Sequence, residues 1–84
     1  MKTYNVYYYN DNNERYQTGI VFESQFGAIY HARRIRDSYG YHTDVMDNET
    51  GAILAYFDTL GRSFIDENDI EPDARKLAAL VEEY

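Results

Sequence analysis

The chain has 84 residues, enough for one domain with one core, because chains of this size bury only about 60 to 65% of the surface they expose when unfolded. It contains no Cys, which excludes a disulfide framework and a thiolate metal site, and its net charge of −7, from 15 acids against 8 bases, opposes nonspecific attraction to phosphates. The longest apolar run, Ala52 to Phe57, falls far short of the roughly 20 residues of a membrane span, and the N-terminus lacks the apolar core of a signal peptide. These features lead us to expect a cytoplasmic protein that binds neither membrane nor nucleic acid directly.

Thr3 to Tyr9 is rich in Tyr and Val and predicts a strand, with Tyr4, Val6 and Tyr8 on one face and Asn5, Tyr7 and Tyr9 on the other. Helices can fully cover only one face of a sheet, so Tyr8 is expected in the core and Tyr7 and Tyr9 on the wetter side. Asn10-Asp11-Asn12-Asn13 is turn chemistry, since Asn and Asp bond nearby backbone and tolerate positive φ. Arg15 to Phe22 then returns as a second strand, and alternation sets Tyr16, Thr18, Ile20 and Phe22 against Gln17, Gly19 and Val21. Which of these two sets faces inward is left open.

Ser24 can cap a helix N-terminus, and Gly40 can take the left-handed conformation that closes one. Between them, Phe26 and Ile29 belong to one stripe and Ala28, Ala32, Ile35 and Tyr39 to another, which together define the buried face. His31, Arg33, Arg34 and Arg36 are expected on the outer side, with Arg33 and Asp37 spaced for an i,i+4 pair. Tyr41 to Met46 and Ala52 to Phe57 read as a hairpin closed by Asp47-Asn48-Glu49-Thr50-Gly51, in which a type I turn ends in a glycine of positive φ. Gly61 suits a further turn, Ser63 to Asp66 a short edge strand, and Pro72 the start of a helix whose stripe is Ala74, Leu77, Ala78, Leu80, Val81 and Tyr84. The fold class expected is α+β, a single domain over residues 1–84 with an antiparallel four- or five-stranded sheet in ββαββ(β) order and a C-terminal helix.

No constellation of residues spells out a reaction. The acidic run from Asp66 to Asp73 fails the EF-hand pattern, placing Ile70 and Glu71 where a ligand and a Gly belong and Leu77 where the bidentate Glu belongs. His31 and His42 have no Ser or Cys motif beside them, and Gly27 and Gly40 do not form a phosphate-cradling loop. We therefore expect neither an enzyme nor a cofactor. Candidate contact residues remain: Tyr7 and Tyr9; the carboxylates Asp44, Asp47 and Glu49 around the second hairpin; Asp66, Glu67 and Asp69 before the last helix; and the guanidinium group of Arg33, Arg34 and Arg36. A rigid domain carrying such acids could stand where a nucleic-acid-binding protein expects phosphates.

The segment Phe22 to Asp66, FESQFGAIYHARRIRDSYGYHTDVMDNETGAILAYFDTLGRSFID, resembles small phage-encoded anti-CRISPR proteins built on a five-stranded antiparallel sheet with one helix. What carries the resemblance is a pattern: a Ser-capped helix with Ala and Arg pairs, a hairpin closing on AILAYFD and a Gly-turned last strand. It implies a non-enzymatic inhibitor that docks on a host nucleic-acid-handling complex and obstructs its DNA target. A contact made through basic residues would fall to Arg33, Arg34 and Arg36, and the helix from Pro72 extends past the compared region. The alternative expectation is a self-assembling bacterial domain, a homodimer formed through the C-terminal helix or an edge strand.

Overall fold

A computed structural model describes residues 2–79. The elements run β1 (Tyr4–Tyr9), β2 (Arg15–Phe22), α1 (Gln25–Tyr39), β3 (His42–Asp47), β4 (Ile53–Phe57), β5 (Ser63–Ile65) and α2 (Pro72–Ala78). The five strands form one antiparallel sheet in the order β2-β1-β3-β4-β5, so β1 and β3 are its centre and β2 and β5 its edges. This is the α+β architecture and the element order the residue pattern predicts, with the fifth strand present. The stripe residues Leu80, Val81 and Tyr84 lie outside the described residues.

Local chemistry sets the boundaries of the long helix. The Ser24 hydroxyl accepts the amide of Gly27, and Gly40, at φ 70°, closes the helix with its own amide on the Arg36 carbonyl. Between these caps Ala28, Ile29 and Ala32 are fully buried on the sheet. They meet Val6 of β1, Val45 of β3 and Phe57 of β4, and each large side chain here contributes about 1.5 to 3 kcal/mol by leaving water. Ala74 and Ala78 of α2 complete the core against α1.

Polar anchors fix this helix layer. Buried Gln25, at the start of α1, donates to the Tyr4 hydroxyl at 3.0 Å and to the Asp69 carbonyl at 2.9 Å, and accepts the Glu71 amide at 2.7 Å. One amide thus ties the sheet, α1 and the loop that launches α2. Thr43 is also buried, and its hydroxyl donates to the Ala32 carbonyl.

The expected outer row of cations is corrected at one position. Arg33 is 6% exposed, enclosed beneath α2, where its guanidinium donates to the Leu77 carbonyl. A cation near a helix C-terminus meets both an orphan carbonyl and the negative end of the helix dipole, so the guanidinium belongs to the α1–α2 seam. The predicted Arg33–Asp37 pair does not form; Asp37 pairs instead with Arg36 at 2.9 Å. Two aromatic assignments change as well. Phe26 is 43% exposed and Tyr39 71%, because the face that α1 buries is the narrow one of Gln25, Ala28, Ile29, Ala32 and Arg33.

Tyr8 is the third correction. It shares the helix-facing side with Tyr4 and Val6 as alternation requires, but it is only half-buried, while Tyr4 and Val6 are enclosed. Tyr8 sits where β1 runs out beyond the packed middle of α1, and its ring stacks on Tyr41 with centroids 5.5 Å apart.

Candidate functional site

Register places the remaining strand residues on the side of the sheet that, among the described residues, carries no helix. In β1 these are Asn5, Tyr7 and Tyr9; opposite them stand Val21, Gln17 and Arg15 of β2 and Met46, Asp44 and His42 of β3. Tyr56 of β4 pairs with Asp44, and Phe64 of β5 with Tyr56. The set inward on β2 is therefore Tyr16 and Phe22, opposite Tyr8 and Tyr4. Between Asn5 and Tyr7 the register slips, with Gly19 at φ 86° in the irregular segment. A glycine is the residue that takes such a φ without a Cβ clash. The Asn5 amide stitches this bulge by donating to the Ile20 carbonyl.

At the centre of the bare face is a carboxylate that water hardly reaches. Asp44 is 1% exposed; Arg15 grips it with two parallel bonds, Nε to Oδ2 at 3.0 Å and Nη2 to Oδ1 at 2.8 Å, and the Tyr9 hydroxyl donates to Oδ2 at 2.7 Å. The planar fork of Arg matches a carboxylate in this way, and the pair is fixed in direction as well as distance. The guanidinium also lies 3.6 Å over the Tyr7 ring. Burial, followed by the bond to Asp44, pushes the Tyr9 phenol up to about 12. Tyr9 remains neutral and keeps donating across the physiological range.

A second polar knot borders the first. Tyr56 packs edge-on to Tyr9 and parallel to His42. The Thr59 amide donates to His42 Nδ1 at 3.1 Å, so that nitrogen is an acceptor and the proton resides on Nε2. The same Nδ1 comes only within 3.8 Å of Asp58, beyond hydrogen-bonding distance. Asp58 instead receives the Leu60 amide and the Arg62 guanidinium, which hold its carboxyl below its ordinary value.

The acids singled out from the sequence fall into two groups. Asp44 and Asp47 are buried and committed within the chain, which corrects the expectation of exposed carboxylates there. Burial pushes the Asp47 carboxyl up, but the Glu49 amide and the Lys2 ammonium outweigh it and hold the group below its ordinary value. Glu49, Glu67 and Asp69 are exposed and Asp66 half-buried, and Glu67 faces Arg75 at 3.2 Å. The Asp66 side chain closes its own turn by accepting the Asn68 amide. Among the described residues no group of three or more His, Asp or Glu side chains converges as metal ligands.

Of the cations, Arg34 is exposed and lies along Tyr30, while Arg36 reaches toward the Phe57 ring and Asp37. The three expected to act together are therefore divided among the outer surface, the helix seam and the sheet margin. Tyr7 and Tyr9 do come together on the bare face, as alternation requires. Sequence reasoning missed Arg15, Tyr56 and Phe64 beside them. The period-two pattern of Ala52 to Phe57 could have paired Tyr56 with the outward set, but the cross-strand register that brings Arg15 to Asp44 has no signal within either strand.

Compared with family models, with curated proteins and with solved structures, the chain matches none.

Proposed function

We propose that this protein is a non-catalytic protein-binding module that engages its partner through the bare face of the sheet. The observation that carries the reading is the composition of that face: beside the polar Asn5, Gln17 and His42 and the buried Asp44 stand Tyr7, Tyr9, Tyr56, Phe64, Met46, Val21 and Arg15, with no Lys or Glu among its strand positions. Interface cores are enriched in aromatic residues, Met and Arg and depleted in Lys and Glu. The Arg15–Asp44–Tyr9 knot holds its three side chains in one geometry before a partner arrives, which lowers the ordering entropy lost on binding. The finer reading, a phage-type inhibitor of a nucleic-acid-handling complex, draws on the acidic charge. Of the carboxylates singled out for it, Glu49, Glu67 and Asp69 are exposed.

The test is capture from bacterial lysate by the wild-type protein and by two variants of exposed residues on this face, Phe64→Asp and Val21→Asp. A nucleic-acid-handling protein held by the wild type and by Leu60→Asp, a turn control, but released by both face variants supports the proposal. The same partner retained equally by all four proteins overturns it. Failure of the wild type to protect phage DNA in an interference assay would remove the inhibitor reading while leaving the binding face in place.

Self-assembly is the second reading, favoured by one observation: β2 is an uncovered edge strand of eight residues, with Ile20 47% and Val21 59% exposed. The apolar residues of α2 favour it less, since Ala74 and Ala78 are already covered within the chain. Sedimentation over a range of concentrations separates the two, a dimer lost in Val21→Lys indicating the edge.

A further inference from the structure

On the opposite side of the sheet, beyond the packed part of α1, four tyrosine rings follow one another: Tyr16 of β2, Tyr8 of β1, Tyr41 just before β3 and Tyr39 at the end of α1. Their centroids step by 5.7, 5.5 and 6.5 Å and neighbouring planes differ by 30°, 25° and 15°. A groove of about 440 Å³ runs along Tyr8, Tyr41 and Tyr39, with Gln17, Thr18 and Ile35 also in its walls, and Tyr16 stands next to it against the Tyr8 ring. Among the described residues no Asp, Glu, Lys or Arg lines it. Among the described residues the hydroxyls of Tyr8, Tyr39 and Tyr41 have no protein partner, and the Thr18 hydroxyl oxygen is buried without one. The row ends in a negative charge, because the Tyr16 hydroxyl donates to the Glu14 carboxylate at 3.3 Å.

We infer that this groove binds a proline-rich segment in the polyproline II conformation, with a Lys or Arg of the segment at the Glu14 end. The chemistry matches on three counts. Near-parallel aromatic rings form the corrugated apolar surface on which pyrrolidine rings pack. The three rings that line the groove are long enough for about one turn of such a helix, about 9 Å. A proline-rich segment has no internal hydrogen bonds and few amide protons, so it brings carbonyl acceptors to a wall of hydroxyls able to donate. The charge is complementary as well, since the protein carries −7 overall and Glu14, bonded to Tyr16, stands just beyond the Tyr8 end of the groove. This inference uses the other side of the sheet from the proposed binding face and does not rest on it.

The experiment is an amide-resolved NMR titration of the full chain with a ten-residue peptide of two arginines followed by a run of prolines and leucines. Shifts concentrated at residues 16–18 and 39–41, and affinity about tenfold weaker in Tyr39→Ala, support the inference. Replacing the two arginines by glutamates should weaken binding to the wild type several-fold, and Glu14→Lys should abolish that discrimination. Equal binding of a control peptide with every proline changed to alanine overturns the inference, as do shifts centred on Tyr56 and Phe64 or no shift at millimolar peptide. Concentration-dependent dimerisation that perturbs the same residues without peptide also overturns it, because the groove would then belong to a second copy.

Discussion

The two sides of the sheet use tyrosine in opposite ways. On the bare face the Tyr9 hydroxyl is tied to Asp44 and the Tyr7 ring lies under Arg15, so the phenols belong to an electrostatic knot around a buried carboxylate. On the helix side Tyr8, Tyr41 and Tyr39 meet one another and Tyr16, and among the described residues their hydroxyls have no protein partner. Three consecutive tyrosines in β1 therefore supply two surfaces with different physics. The first is rigid because its polar groups answer each other; the second is adhesive because they do not.

The most severe way to break this contrast is to remove the cation from the knot. Arg15→Ala leaves Asp44 almost wholly buried with one hydroxyl for company, and losing one partner of a buried pair costs about 3 kcal/mol or more. Urea unfolding should register that loss in full. An unchanged midpoint would mean that water already reaches the carboxylate, and that the bare face is softer than its geometry implies.

Tyr9→Phe is the milder cut, removing one bond to a charged acceptor while Arg15 remains, at a cost of about 1.5 kcal/mol. Its signature lies in alkali. The Tyr9 phenol stands above its ordinary 10.0, at about 12 in the fold, so the folded state favours the protonated form. That contribution is fully present below pH 10 and is lost as pH rises toward 12. The stability difference between wild type and Tyr9→Phe should therefore shrink across that interval. A difference independent of pH would show that Tyr9 is not held by Asp44.

Much of the fold was legible because its signals are local. Ser24, Gly40 and the Asp47–Gly51 turn each act on backbone within a few residues, and each does in the structure what its chemistry requires. Alternation likewise sent Tyr7 and Tyr9 to one side and Tyr8 to the other. What stayed hidden was set by distance along the chain. Arg33 looks like a surface cation until a carbonyl 44 residues away is laid over it, and Asp44 looks like a surface acid until an arginine 29 residues away closes on it. Alternation assigns a side but not how far along the strand a helix will cover it, and for that reason Tyr4 and Val6 are enclosed where Tyr8 is not. Gln25 was silent for a different reason: a glutamine at a helix start reads as solvated until three partners from two other segments converge on it.

The smallest expected effect on stability sharpens the comparison most. Tyr39 is 71% exposed and makes one ring contact, with Tyr41 at 6.5 Å, so Tyr39→Ala should change unfolding free energy by no more than about 0.5 kcal/mol. A residue held for packing would cost more on truncation; a residue kept for a ligand costs little in the free protein. Thermal unfolding of Tyr39→Ala beside Tyr8→Ala provides the internal reference, because Tyr8 is half-buried between Tyr16 and Tyr41 and its removal opens a gap at the margin of the core. If Tyr39→Ala proved as damaging as Tyr8→Ala, the tyrosine row would be a structural extension of the core and the distinction between the two sides of the sheet would fail. If only Tyr8→Ala destabilises, the outer end of the row is free of any folding role, and its exposed aromatic surface is available for recognition.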